Sequence, residues 1–115
     1  MEADQFNPDI VRAALPLAVL SILAERPAHG YALVEELRAL GFDRTQGGTL
    51  YPLLKRFEDA GLVTHEWLHD EAGPGRKQFS LTEAGRAQRD AASMAWHRVT
   101  DILTGLSTAP EEATE

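Results

Sequence analysis

Cysteine is absent from the 115 residues, which excludes disulfides, zinc thiolate sites and a cysteine nucleophile. Long apolar runs are missing too. The richest, Ala13 to Ala24, is broken by Pro16 and Ser21 and falls short of the roughly 20 residues that a membrane-spanning helix needs. The acidic start has no positive segment of the kind that opens a secretory leader, so the reading is a cytoplasmic protein without a membrane partner. Positive charge is scarce, with 11 Lys and Arg against 18 Asp and Glu and a net charge of −7. Taken over the whole chain this balance opposes nucleic acid, because phosphate binding draws on Lys and Arg. The acids, however, gather at the ends. Glu2, Asp4 and Asp9 with Glu111, Glu112 and Glu115 account for six of the seven excess negative charges, which leaves residues 11–110 at net −1.

Other chemistries lack their residues. No Ser/His/Asp grouping, phosphate loop or paired-carboxylate pocket is visible, so no enzyme and no cofactor is expected. His65 and His69 lie four apart on an extended segment, too far along it for joint chelation, and no metal site is expected. The apolar fraction of 43% and charged fraction of 25% are those of a folded domain, and the length suits one.

The chain is organised around Gly47 to Gly61. Leu50, Leu53, Leu54 and Phe57 recur at helical spacing and form one apolar stripe, while Tyr51, Lys55, Arg56 and Asp59 lie off it. Pro52 places the helix start near Gly48 or Thr49, and Gly61 supplies the stop. Thr49, Tyr51, Lys55 and Arg56 at the outer face of so short a helix make a reading head for a nucleic acid groove. The plainer alternative is a solvated face with two ordinary basic residues.

Upstream, Asn7 reads as N-cap with Pro8 at the first helical position. Pro16 is expected to kink or restart that helix, and the dense apolar stretch Leu17 to Ala24 is core. A second helix opens at His29-Gly30-Tyr31, with Tyr31, Leu33, Val34, Leu37 and Leu40 expected inward, and stops at Gly41. A short polar connector from Phe42 to Gly47 then gives a helix-turn-helix. Downstream, Leu62 to Asp70 and Arg76 to Leu81 flank the turn cluster Asp70–Gly75 and read as a hairpin, a wing; the face taken by Trp67 is left open. Thr82 is the N-cap of a last helix running from Glu83 to about Leu106, although Gly85 sits where a capping box would want Glu. Ala92, Trp96, Val99, Leu103 and Leu106 form an a/d seam on that helix, which predicts pairing with a second copy. The fold class is mainly α with a small β-hairpin, a winged helix-turn-helix plus a C-terminal dimerisation helix. Its parts are a flexible acidic N-terminus (1–7), the winged-helix domain (8–81), the dimerisation helix (82–107) and a flexible acidic tail (108–115).

His29-Gly30-Tyr31, Gly48-Thr49-Leu50-Tyr51-Pro52, Lys55-Arg56, Glu58, Gly61-Leu62-Val63, Arg76-Lys77 and Leu81-Thr82-Glu83-Ala84-Gly85 follow the order and spacing of the PadR-like transcriptional regulators, which the chain resembles over roughly residues 15–100. Gln78, where an aromatic is usual, and Phe57, where leucine is usual, depart from the pattern at packing positions. The resemblance implies a homodimeric DNA-binding regulator, in most members a repressor, with the third helix in the major groove of a palindromic operator. Thr45, Gln46, Thr49 and Tyr51 would then reach bases or phosphates, and Arg44, Lys55, Arg56, Arg76 and Lys77 would supply charge. The resemblance also implies a small aromatic or cationic effector held beside Trp96, Ala92 and Val99. The rival is a winged-helix module for protein contact without an operator of its own, which the acidic ends would suit.

Overall fold

The first helix, α1, spans Pro8–Glu25 and opens as its sequence dictates: Asn7 Oδ1 accepts the Asp9 N–H at 2.7 Å and Pro8 occupies the first turn. These coordinates are a computed structural model that describes residues 7–42, 45–69 and 73–113, with side chains to residue 107. Pro16 does not restart α1. The helix runs through it unbroken; Arg12, whose carbonyl loses its intrahelical donor there, is an exposed residue.

A two-residue strand that the sequence does not announce follows, β1 (Ala28–His29). The helices α2 (Gly30–Ala39) and α3 (Gly47–Asp59) come next, then the wing strands β2 (Val63–Leu68) and β3 (Arg76–Leu81), and finally α4 (Glu83–Ala113). The sheet is antiparallel in the order β1-β3-β2. Its register puts Val63 opposite Leu81, His65 opposite Phe79 and Trp67 opposite Lys77, so these six side chains share the face that meets the helices. Trp67 thus stands on the core side of the sheet, yet beyond the edge of the core.

Both helix stops are glycine-made. Gly41 (φ 111°) and Gly61 (φ 79°) take the left-handed conformation. Beyond them Phe42 N–H reaches Leu37 O and Leu62 N–H reaches Phe57 O, each at 2.9 Å. These are the crossed bonds of a Schellman closure. The core gathers Leu15, Val19, Leu20 and Leu23 of α1, Leu33, Val34 and Leu37 of α2, Leu50, Leu53, Leu54 and Phe57 of α3, and Val63 and Phe79 of the wing. Truncating a fully covered member such as Leu50 or Leu54 to alanine is expected to cost about 2–5 kcal/mol. Tyr31 and Leu40, expected inward, are exposed instead.

Thr82 joins wing to last helix. Its Oγ1 accepts the Gly85 N–H at 2.9 Å and donates to the Gly61 carbonyl at 2.7 Å. Arg86 then donates to the Ala24 carbonyl at 3.0 Å, tying α4 to the C-terminal end of α1. The 31 residues of α4 span roughly 46 Å at 1.5 Å each, and they stretch the molecule to 68 Å along one axis. The helical backbone continues to Ala113, past the Leu106 at which the apolar spacing ends. The acidic segment 1–7 lies outside the described residues apart from Asn7, as do residues 114 and 115.

Candidate nucleic-acid interface

The buried stripe fixes the rotation of α3. With Leu50, Leu53, Leu54 and Phe57 covered, the helix must present Thr49, Tyr51, Lys55 and Arg56 outward, and all four are exposed. The helix begins at Gly47, earlier than Pro52 suggested, with Gln46 at the cap position. Gln46 makes no side-chain cap bond; its backbone carbonyl already accepts the Thr49 and Leu50 N–H groups at 2.9 Å, and its exposed amide points to no intrahelical partner.

Thr45 must be withdrawn from the set of reading residues. It is 2% exposed, and its hydroxyl has no hydrogen-bond partner among the described residues, so it cannot reach a base or a phosphate in this conformation. The backbone of Thr45 is instead held by Arg38, whose Nε donates to the Thr45 carbonyl at 3.0 Å. Arg44 lies outside the described residues.

The basic residues differ in how free they are. Lys55 is paired with Asp59 at 3.1 Å, one turn on and in the open; such a pair contributes about 0.3–0.5 kcal/mol and yields to a phosphate. Arg56 makes no side-chain ion pair among the described residues. On the wing, Arg76 lies 3.0 Å from His29 Nε2, and Lys77 sits 6.0 Å above the Phe79 ring, at the limit of cation–π range. The wing is fastened to α3 by His65 of β2 and Glu58 of α3, which contact one another through Nδ1 and Oε2. Both are about three-quarters covered, so the angle between reading helix and wing is set by a contact partly shielded from water.

Tyr51, Arg76 and Lys77 line one cleft, and His29, Tyr31 and Trp67 line it with them. A cleft of about 510 Å³ between the start of α2, the first turns of α3 and the wing is lined by His29, Tyr31, Tyr51, Trp67, Arg76 and Lys77, with Gly30, Gly75 and Phe79. Hydropathy spacing does not distinguish an exposed aromatic from a buried one, so the sequence alone points to none of His29, Tyr31 and Trp67 as part of this surface.

The seam of α4 stands uncovered in the single chain. Trp96, Val99, Leu103 and Leu106 are exposed, joined by Met94 and Ile102, while Ala92 is half-buried. Five large apolar side chains over three turns, Trp96 to Leu106, make a patch of the kind that monomers seldom leave to solvent.

Comparison with known proteins places these features in a family. Residues 19–91 match the model of the transcriptional regulator PadR-like family. A transcriptional regulator of Mycobacterium tuberculosis is 41% identical over 76 residues, 66% of this chain and 69% of that protein. Among solved structures, a PadR family transcriptional regulator from Eggerthella lenta superposes with a TM-score of 0.80 at 35% identity, covering 88% of each chain. A PadR-like transcriptional regulator from Bacillus cereus does so with a TM-score of 0.80 at 26% identity, over 88% of this chain and 98% of that one.

Proposed function

The chain belongs to the PadR-like family of transcriptional regulators, a family of DNA-binding proteins and not of enzymes, and on that basis we propose that it binds a palindromic operator as a homodimer and represses from it. The observation that carries this reading is the division of α3 into a covered stripe and an exposed face bearing Gln46, Thr49, Tyr51, Lys55 and Arg56. A helix so anchored can enter a major groove without unpacking. Groove contacts from Gln46, Thr49 and Tyr51 would carry sequence, and phosphate contacts from Lys55, Arg56, Arg76 and Lys77 would fix position. Arg44 completes the charged set.

In this reading residues 8–81 are the DNA-binding unit and residues 82–107 the pairing helix. The seam of half-buried Ala92 and exposed Trp96, Val99, Leu103 and Leu106 supports pairing, since covering it removes apolar surface from water, and a two-fold axis through α4 would match two half-sites of a palindrome. A planar aromatic or cationic effector would stack on Trp96, with Ala92 and Val99 beside it. The place of action is the cytoplasm, in keeping with the lack of any helix long and apolar enough to cross a membrane among the described residues.

A mobility-shift titration with duplex DNA from upstream of the protein's own coding region, repeated at two salt concentrations, tests the reading. A salt-dependent complex that survives excess unrelated duplex supports it. Binding to no duplex would favour the protein-contact module that the acidic ends would suit.

A further inference from the structure

We propose that the cleft between the turn end of the wing and the starts of α2 and α3 is a seat for one sugar-phosphate stretch of the bound duplex, with Tyr31 and Trp67 as walls for the deoxyribose and Arg76 and Lys77 as partners of the phosphate. The proposal rests on the DNA-binding reading and adds Tyr31, Trp67 and His29 to it.

Three observations converge on this occupant. The first is composition. The described lining holds four aromatic side chains, the exposed Tyr31, Tyr51 and Trp67 and the buried Phe79, with two cations and a histidine, and no carboxylate; Asp70 and Glu71 lie outside the described residues. Aromatic faces pack on the C–H faces of a sugar while the cations meet the phosphate beside it, a combination that a plain phosphate site would not need. The second is exposure: Tyr31, Tyr51 and Trp67 keep 66%, 49% and 56% of their surface open, so these rings are not core and face whatever enters. The third is continuity. Tyr51 lies one helical turn before Lys55 on the same side of α3, so the cleft extends the reading face directly.

The His29–Arg76 contact fits this role. His29 Nδ1 accepts the Ala32 N–H at 3.3 Å as the N-cap of α2, and a neutral ring that accepts there carries its proton on Nε2. Nε2 then faces Arg76, which has only N–H groups to offer. The two contacts compete for one lone pair, so Arg76 is held near the cleft by a partner it leaves easily. A phosphate would accept what His29 cannot.

The test uses the full-length protein and an operator duplex in which single phosphates are replaced by neutral methylphosphonates. In the wild type one such position in each half-site is expected to lower affinity about tenfold, as loss of a charge-assisted contact does. Arg76→Ala is expected to lower it similarly, to reduce the salt slope by about one, and to make that methylphosphonate silent. Tyr31→Ala and Trp67→Ala, both at exposed positions, are expected to weaken binding roughly three- to tenfold with the salt slope unchanged, because they remove apolar contact and no charge. Wild-type affinity in both aromatic variants, or a methylphosphonate effect undiminished in Arg76→Ala, overturns the seat while leaving the DNA reading standing. Failure of the wild type to bind any duplex removes both. Micromolar binding of deoxythymidine monophosphate by calorimetry, lost in Trp67→Ala while duplex affinity is unaltered by that change, would make the cleft a small-ligand site and also overturn the proposal.

Discussion

The ring of Tyr51 in α3 lies directly across Gly30 at the start of α2: a Cβ built on Gly30 would stand 2.1 Å from the Tyr51 hydroxyl oxygen and 2.5 Å from Cζ. Gly47 approaches the other edge of the ring, at 3.2 Å from Cε2 by the same measure. Two glycines therefore set where an exposed tyrosine of the reading face may rest. The groups that Gly30→Ala would strike are the far end of a movable side chain, so the variant is expected to keep its fold, with Tm within a few degrees on the scale of about 1 kcal/mol, but to displace Tyr51. Duplex affinity should fall, and it should fall no further when Gly30→Ala is added to Tyr51→Ala. Additive losses in that double-mutant cycle would mean the two residues act separately.

Arg56→Ala is expected to weaken operator and non-operator duplex alike and to reduce the salt slope by about one. Lys55→Ala should weaken binding less, because Lys55 must first leave Asp59. Both residues lie off the buried stripe, so thermal unfolding should stay near wild type. Mobility shifts at several salt concentrations check this, and unaltered affinity in both variants would remove α3 from the groove.

Val99→Asp and Leu103→Asp should each yield monomers that lose cooperative operator binding. An unpaired carboxylate in an apolar seam is not offset by anything nearby when two copies meet. Sedimentation at the concentrations used for binding reads the result directly, and an intact dimer in both would show that α4 pairs through another face.

Trp96 is 36% exposed, which leaves part of the indole face available beside Ala92. A planar cationic dye is expected to quench tryptophan emission saturably, in the wild type and in Trp67→Phe alike. Trp96→Ala should abolish the effect in protein that still sediments as a dimer. Dye binding with unchanged affinity in Trp96→Ala would leave α4 as a pairing element alone.

Gly85→Ala is expected to destabilise the domain although it only lengthens a side chain by one carbon. The added Cβ would fall 2.2 Å from the Leu62 carbonyl oxygen and 2.6 Å from Leu81 Cδ1, and backbone does not yield as a side chain tip does. Overpacking of this kind costs about 1–3 kcal/mol, comparable to or above the roughly 1 kcal/mol expected for losing the Thr82 cap in Thr82→Ala. Urea unfolding of the two variants ranks them. The same contact explains why a capping-box glutamate is missing after Thr82: the position is committed to the wing.

What the sequence determined on its own was whatever depends on neighbours along the chain. The Leu50, Leu53, Leu54 and Phe57 stripe, the stops at Gly41 and Gly61, the caps at Asn7 and Thr82 and the hairpin around the Asp70–Gly75 turn cluster follow from helical periodicity, glycine's access to positive φ and short side chains that bond nearby backbone. The chain also spelled out its family, because the Gly-Thr-Leu-Tyr-Pro element and its companions are local strings. Tertiary structure decided the matters that depend on what lies across a gap. Thr45 and Gln46 are adjacent polar residues in one connector, yet Thr45 is covered and Gln46 is open; no local rule separates them, because burial is set by the elements packed above. Tyr31 has a core residue's spacing but stands outward, since the face that α2 buries carries Gly30, Leu33, Val34 and Leu37. Ala28 and His29 form a strand only because β3 lies alongside. The cleft is the plainest case: His29, Tyr31, Tyr51, Trp67, Arg76 and Lys77 come from five separate elements, and only the packing of helices against the wing brings aromatic rings and cations from such distant parts of the chain to one place.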